Sequence, residues 1–201
     1  MNAQPNRSLL DRMASSSLNY RAAFVTDAIA AAAFGWFGAT RYKGPIALAA
    51  VFIIAGFLIW TFLEYLLHRW LLHGRLPAAR REHAKHHRDA QATVATPLLL
   101  IPIFMSLIWT ALALLTSPAA ASLVTFGVYA GYNYFAIVHH MQHFHPGLLA
   151  RTRLFRRQLQ MHELHHRHPG THFGISTSIW DRVFGSQLLQ HDQIVVEHPR
   201  R

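Results

Sequence analysis

The chain alternates between long apolar stretches and polar stretches that are rich in histidine and arginine. Four stretches are apolar over about 20 residues, the length that an α-helix needs to cross a bilayer. They occupy residues 22–40, 45–67, 94–116 and 118–138. The connections within the first and the second pair are very short, so each pair should form a hairpin of antiparallel helices. The pattern predicts an all-α integral membrane protein with four transmembrane helices.

The polar stretches predict which side of the membrane each connection occupies. Residues 68–93 carry six basic and two acidic side chains, and residues 139–201 carry eight and four. Lys and Arg are enriched in cytoplasmic loops, and an even number of predicted crossings separates the two regions. We expect one domain over residues 1–201, in which a polar N-terminal tail, residues 1–20, and histidine-rich regions at 68–93 and 139–186 share the cytoplasmic side.

Histidines are concentrated next to the apolar stretches. The chain has 16 histidines, and ten of them fall into four groups with short spacings. Two groups have the spacing H-x2-H-H, one has H-x4-H and one has H-x3-H. Neutral imidazole is the commonest metal ligand in proteins, so the groups predict a helical cap that binds two metal ions. The candidate ligands are His68, His73, His83, His86, His87, His139, His143, His162, His165 and His166.

Helical geometry supports a shared site. Positions i, i+3 and i+4 lie on one face of an α-helix, so each H-x2-H-H triplet can present ligands to two neighbouring metals. His139 and His143 are one turn apart and point the same way. His68 and His73 are five positions apart, and a continuous α-helix would point them in different directions. Because a glycine and a proline follow, we expect the helix to end or bend there and to return His73 to His68.

Composition narrows the chemistry of the site. The chain has no cysteine, so nitrogen and oxygen atoms must bind the metal. A hydrolytic zinc enzyme usually combines about three protein ligands with a carboxylate base, and carboxylates are scarce here. A histidine-rich set beside lipid favours two iron ions that use O2 to attack an unreactive C–H bond, with zinc as the metal that isolated protein could carry instead.

Charge has a simple explanation in a membrane protein. The formal net charge is +10, but the arginines flank apolar stretches. Membrane topology and anionic lipid headgroups account for them, so no nucleic-acid partner is expected. Asp27 lies near the start of the first apolar stretch, and we expect it at the membrane interface.

The remaining polar residues predict support for the ligands. Glu64, Glu82 and Glu163 lie beside the histidine groups, and Asp89 and Asp181 lie further along the chain. We expect these carboxylates to accept hydrogen bonds from ligand N–H groups, with salt bridges to arginine as the alternative. Six histidines do not fit the repeated spacings, and most of them should not bind metal: His140, His145, His168, His172, His191 and His198.

The order of the four histidine spacings between apolar hairpins resembles the fatty acid hydroxylase/sterol desaturase superfamily. Residues 172–185, HFGISTSIWDRVFG, resemble the segment that follows the last histidine triplet in fatty acid 2-hydroxylases. The resemblance covers most of residues 45–186. One departure is that these enzymes have an acidic residue shortly before the H-x3-H pair, where this chain has Phe135 and Ala136.

This resemblance implies an integral-membrane oxygenase in which all ten histidines bind two iron ions. It implies O2 as co-substrate, a membrane lipid or acyl substrate, and electrons from a separate electron-transfer protein. The expected function is hydroxylation of a lipid acyl chain, with carbon 2 as the expected position. Alternatives are a carotenoid or sterol hydroxylase or a desaturase of the same superfamily, or a non-enzymatic membrane metal-binding protein. The spacings leave the oligomeric state open.

Overall fold

Helices form all the regular secondary structure in the residues that the structure describes, 12–13, 15–92 and 96–188, which confirms the all-α prediction. The structure is a computed structural model. Its helices are α1 (Ser17–Arg41), α2 (Ile46–Leu66) with a π-helical continuation (Leu67–Leu72), α3 (Pro77–Arg88), α4 (Leu100–Leu115), α5 (Pro118–Phe144), α6 (Pro146–Leu149), α7 (Arg153–Arg167) and α8 (Ile179–Val183).

Three of these helices are long and apolar enough to cross a membrane: α1, α2 with its π-helical continuation, and α5. The third predicted span, residues 94–116, contains the shorter helix α4, which has 16 residues. At 1.5 Å per residue α4 covers about 24 Å, less than the roughly 30 Å of a bilayer core. Residues 93–95 lie outside the described residues, and residues 96–99, which include Pro97, are not helical.

Helix α5 is the central helix of the bundle. It packs against α1, α2 and α4, and half of its apolar window is buried, compared with 17% in α1 and in α2. Trp60, Met105, Val128 and Tyr129 form the buried apolar core where these helices meet. The bundle therefore positions whatever α2 and α5 carry at their C-terminal ends.

The backbones of α2 and α5 touch where two glycines face each other. A Cβ atom at Gly127 would lie 2.1 Å from the Ile53 carbonyl oxygen, and one at Gly56 would lie 2.1 Å from the Val124 carbonyl oxygen. Real Cβ atoms do not approach this closely, so only glycine is compatible with this crossing. The close contact fixes the distance between the two helices and hence between their ends.

Both α2 and α5 continue beyond the predicted spans. The predicted boundaries 45–67 and 118–138 end where the apolar pattern ends, but helical hydrogen bonding continues to Leu72 and Phe144. His68, His139 and His143 therefore belong to the same helices as the apolar stretches. The apolar pattern ends at these points, but the helices continue past them.

The beginning of α1 also corrects the prediction. The predicted tail, residues 1–20, overlaps the first helical residues, because Ser16 caps α1 by accepting a hydrogen bond from the Asn19 N–H. This early start places Asp27 well inside the helix, and only 2% of it is exposed. Asp27 therefore faces neighbouring helices, and its position at the membrane interface stays a prediction.

Candidate metal centre

The ten predicted ligands gather at the ends of α2 and α5, beneath helices α3 and α7. They form two clusters. The first cluster consists of His68, His73, His83, His87 and His165, and the second contains His86, His139, His143 and His162; within each set the candidate ligand atoms lie within 4.8 Å of one another.

Nitrogen–nitrogen distances in the first cluster suit a shared ion. The Nε2 atom of His83 lies 3.0 Å from that of His68, 2.8 Å from that of His73 and 3.1 Å from that of His87. The Nε2 atom of His165 lies 3.1 Å from those of His73 and His87. Nitrogens bound at right angles to a metal at about 2.0–2.1 Å would be about 2.9 Å apart, so these separations match adjacent ligands of one ion.

The second cluster has the same spacing. The Nε2 atom of His139 lies 3.1 Å from those of His86 and His143, and the Nε2 atoms of His143 and His162 are 2.7 Å apart. The His166 ring lies between the clusters, with its centroid 4.9 Å from His86 and from His143, 4.6 Å from His162 and 4.5 Å from His87 of the first cluster. Its Nε2 atom is buried and has no hydrogen-bond partner.

Each H-x2-H-H triplet divides its histidines between the two clusters. On α3, His83 and His87 face the first cluster and His86 faces the second. On α7 the division is reversed, since His165 faces the first cluster and His162 the second. Each half of the duplicated pattern therefore builds one cluster and contributes one histidine to the other, as the spacing predicted for two neighbouring metals.

A π-helical turn brings His68 and His73 together. The His73 N–H donates a hydrogen bond to the His68 carbonyl oxygen at 3.1 Å, five positions earlier in the chain. An i to i+5 bond stacks residues five apart, whereas an α-helix stacks residues three and four apart. The expected bend is therefore a change of helix type, with the two rings 5.1 Å apart between centroids.

Hydrogen bonds outside the clusters fix the tautomers of two rings. The Nδ1 atom of His68 lies 2.6 Å from the Phe173 carbonyl oxygen, and that of His165 lies 2.7 Å from the Thr171 carbonyl oxygen. A carbonyl only accepts, so each Nδ1 carries the proton and each Nε2 turns an unshared electron pair toward the first cluster. Nitrogens arranged in this way fit a metal cation, and the residues present therefore match the implied ions.

The acid–base state of the cap also suits metal binding. Burial and the neighbouring His87 lower the pKa of His73 to about 4. Burial and the His143 ring lower the pKa of His86 to about 3, and burial and His87 lower that of His166 to about 4. Because these values are below the ordinary 6.5, the imidazoles are neutral at pH 7 and keep electron pairs for a metal.

The segment after α7 holds the two anchored rings in place. Asp181 accepts hydrogen bonds from the Phe173 and Gly174 N–H groups, at 2.8 and 2.9 Å, and from the Ser186 hydroxyl at 2.8 Å. Glu64 accepts from the N–H groups of the next two residues, 175 and 176, at 2.6 and 2.8 Å. Two buried carboxylates thus hold the backbone whose carbonyls orient His68 and His165; we call residues 171–176 the clamp segment.

These contacts change the roles predicted for the acidic residues. Glu64 was expected to accept from a ligand N–H or pair with arginine, but it accepts from the clamp segment instead. Glu82 forms an ion pair with Lys85, and Glu163 is exposed. Asp89 is exposed and accepts from the Gln91 N–H. Asp181 was also expected to accept from ligand N–H groups, but it accepts from the Phe173 and Gly174 backbone N–H groups instead. The signal for this role was the likeness of residues 172–185 to 2-hydroxylases.

The four described histidines outside the repeated spacings lie outside both clusters. His140 hydrogen-bonds the Tyr20 hydroxyl at 2.7 Å, His145 is exposed and His168 ends α7. His172 is buried, and its Nε2 atom accepts from the Leu188 N–H at 3.2 Å. The predicted bystanders His191 and His198 lie outside the described residues.

Comparison with known proteins agrees with this site. Residues 53–186 match the fatty acid hydroxylase family. Over 110 residues the chain is 34% identical to the dihydroceramide fatty acyl 2-hydroxylase FAH2 of Arabidopsis thaliana, in a match that covers 52% of this chain and 43% of that protein. The fold is similar to that of full-length Scs7p, of which only the hydroxylase domain is visible, with a TM-score of 0.71, 20% identity, and 90% and 70% of the two chains covered.

The structure defines a helical protein with membrane-length helices that carry a histidine-rich candidate metal centre at their ends. Its family match covers well over half of the chain and includes every predicted ligand. The chain belongs to the fatty acid hydroxylase family, which confirms the resemblance seen in its sequence. It spans less than half the length of the Arabidopsis relative.

We predict that His86→Ala lowers the transition metal bound per chain by about one equivalent, because the second cluster loses one of its ligands. Metal analysis of freshly purified, unchelated protein measures the change. His145→Ala removes an exposed histidine outside the clusters and should leave the metal content unchanged. Equal losses in the two variants would contradict the division between ligands and other histidines.

We predict that Asp181→Asn weakens metal retention by about 10–100-fold, the usual effect of losing a partner that orients ligands. The substitution preserves shape but removes the charge that holds the Phe173 and Gly174 amides. Competition with a chelator measures retention, and circular dichroism verifies folding. Asp89→Asn is the control, because Asp89 is exposed and does not contact the clamp segment. If both variants lose metal equally, the role of the clamp segment is refuted.

Proposed function

We propose that this protein hydroxylates a lipid acyl chain, using O2 and two iron ions held by the ten histidines. The observation that carries the proposal is the pair of adjacent all-histidine clusters at the ends of membrane-length helices. The similarity to a dihydroceramide fatty acyl 2-hydroxylase supports an acyl substrate. It also favours carbon 2 as the position of hydroxylation.

The nitrogen-rich ligand set supports iron as the working metal. Imidazole binds iron, zinc and copper alike, but ten imidazoles without a bound carboxylate base are a poor design for zinc-dependent hydrolysis. Two bound iron ions would supply O2 activation and the attack on a C–H bond. Electrons would come from a separate electron-transfer protein.

The chain itself would orient the substrate and exclude water. Beneath the second cluster the Phe135 ring stacks on His139 with 5.6 Å between centroids, and Trp60 lies 6.0 Å from Phe135 and 5.0 Å from Tyr132. These rings belong to α2 and α5 and form an apolar layer next to the histidines. An acyl chain is compatible with this layer, because the aromatic rings offer large apolar contact surfaces.

The proposed topology has four crossings with the histidine-rich cap on the cytoplasmic side. Helix α4 and the residues before it would provide the fourth crossing. The excess of basic residues in the two histidine-rich regions supports the orientation. It places both clusters within reach of soluble electron donors in the cytoplasm.

We predict that a reporter inserted near Lys85, or fused after Arg201, is active only in the cytoplasm. The physical reason is that one metal centre draws ligands from both histidine-rich regions, which must therefore share a side. The measurement uses two reporters at each position, one that is active only in the cytoplasm and one that is active only on the opposite side of the membrane. A signal from opposite sides would be incompatible with the shared centre.

We predict that labelled O2 places one heavy oxygen atom in an acyl chain, in a reaction that also needs an external reductant. The measurement is mass spectrometry of lipids from cells with and without the gene. It is then repeated on the products of the purified protein. The variant His86→Ala is the inactive control. A new double bond without added oxygen would identify a desaturase, and oxygen from water would exclude an oxygenase.

A further inference from the structure

A cavity of about 770 Å³ opens beside the first histidine cluster. This volume lies within the range of roughly 300–1,000 Å³ that small-molecule sites occupy. Its wall combines the candidate ligand His73 with Arg69, Arg75 and the Phe173 ring, and no acidic residue lines it. We call it the arginine cavity. Its two arginines therefore lie beside His73, a candidate ligand of the metal centre.

The guanidinium group of Arg69 is held in position. It donates a hydrogen bond to the buried Tyr65 hydroxyl. Its central carbon lies 5.8 Å from the ring centroids of Tyr65 and Trp70 and 5.6 Å from that of Phe173. Arginine has five N–H donors, so this anchoring leaves donors free. Arg69 is therefore oriented before any ligand enters the cavity.

The two arginines have no carboxylate partner among the described residues. In the part of the chain that the structure describes, the only ion pair joins Lys85 and Glu82. Neither Arg69 nor Arg75 has a carboxylate partner there, although both line the same cavity. A planar guanidinium group binds phosphate or carboxylate through paired hydrogen bonds. The cavity thus has the chemistry of an anion site.

The position of the cavity favours a lipid over a soluble anion. Trp70 lines it, is 58% exposed and belongs to the last turn of the membrane-length helix Ile46–Leu72. Leu71 beside it is also exposed. Tryptophan is enriched where the bilayer meets water, which is the level of lipid headgroups. A headgroup at this level could enter the cavity while its acyl chains stay in the membrane.

We propose that the arginine cavity binds the negatively charged headgroup, a phosphate or carboxylate, of the acyl lipid on which the protein acts. The identification of this lipid as substrate rests on the proposed function. His73 belongs both to the cavity wall and to the first cluster. Carbons next to the headgroup then lie nearest the metal centre, which favours oxidation close to the polar end of the chain.

Two pairs of variants isolate the cavity. Arg75→Gln removes a cavity charge, and Arg81→Gln removes an exposed charge on α3 that does not line the cavity. Gly170 lines the cavity, and a Cβ atom there meets nothing within 4 Å. Gly170→Val therefore adds apolar bulk at the cavity wall where a Cβ atom has room. Gly147→Val is its match, because Gly147 is equally open and lies outside the cavity.

Binding is measured on the full chain in detergent, with phosphatidic acid and diacylglycerol that have identical acyl chains. We expect phosphatidic acid to bind about tenfold more tightly, because only its headgroup can pair with the arginines. Arg75→Gln and Gly170→Val should lose most of this preference. Arg81→Gln and Gly147→Val should retain it. Inorganic phosphate, tested as a competitor, should bind far more weakly than phosphatidic acid.

Three results would overturn the proposal. Equal affinity for the two lipids would exclude a headgroup site, and equal losses in Arg75→Gln and Arg81→Gln would reduce the effect to general surface charge. Inorganic phosphate binding as tightly as phosphatidic acid would exclude a lipid as the occupant. Binding can be measured without turnover, so the two proposals can fail separately. If the protein prefers phosphatidic acid but fails the labelled-O2 test, the hydroxylase function is refuted and the headgroup site is retained.

Discussion

In the helical cap, imidazole nitrogens only 2.7–3.1 Å apart turn toward common points. The Nε2 atoms of His68 and His165 must carry unshared electron pairs, because their Nδ1 protons are bound to backbone carbonyls. Electron pairs that face each other repel unless a cation lies between them. Every other feature of the cap can be understood as a means of holding these rings in that arrangement.

The exchange of histidines makes the two clusters depend on each other. His86 comes from the first half of the duplicated pattern and faces the second cluster, while His165 does the reverse. Helices α3 and α7 therefore each contribute to both clusters and cannot shift independently. Two ions at neighbouring sites would be held at a separation set by helix geometry, which suits chemistry that needs both.

Support for this arrangement comes from opposite ends of the structure. Below the clusters, the contact at Gly56 and Gly127 lets the backbones of α2 and α5 approach more closely than any larger residue would allow. Beside them, Glu64 and Asp181 hold the clamp segment against the end of α2. The charged cavity borders the first cluster through His73, and the Phe135 ring stacks on His139 of the second cluster.

Local spacing was enough to predict which histidines gather at the helix ends and the all-α class, because ligand spacing and apolar length follow directly from helix periodicity. It could not show the π-helical turn at His68, the buried position of Asp27 or the shortness of α4, since helix ends depend on caps and packing. It also could not reveal the clamp segment. The bonds from His68 to Phe173 and from Ile175 to Glu64 join residues 105 and 111 positions apart, and only the folded chain brings such partners together.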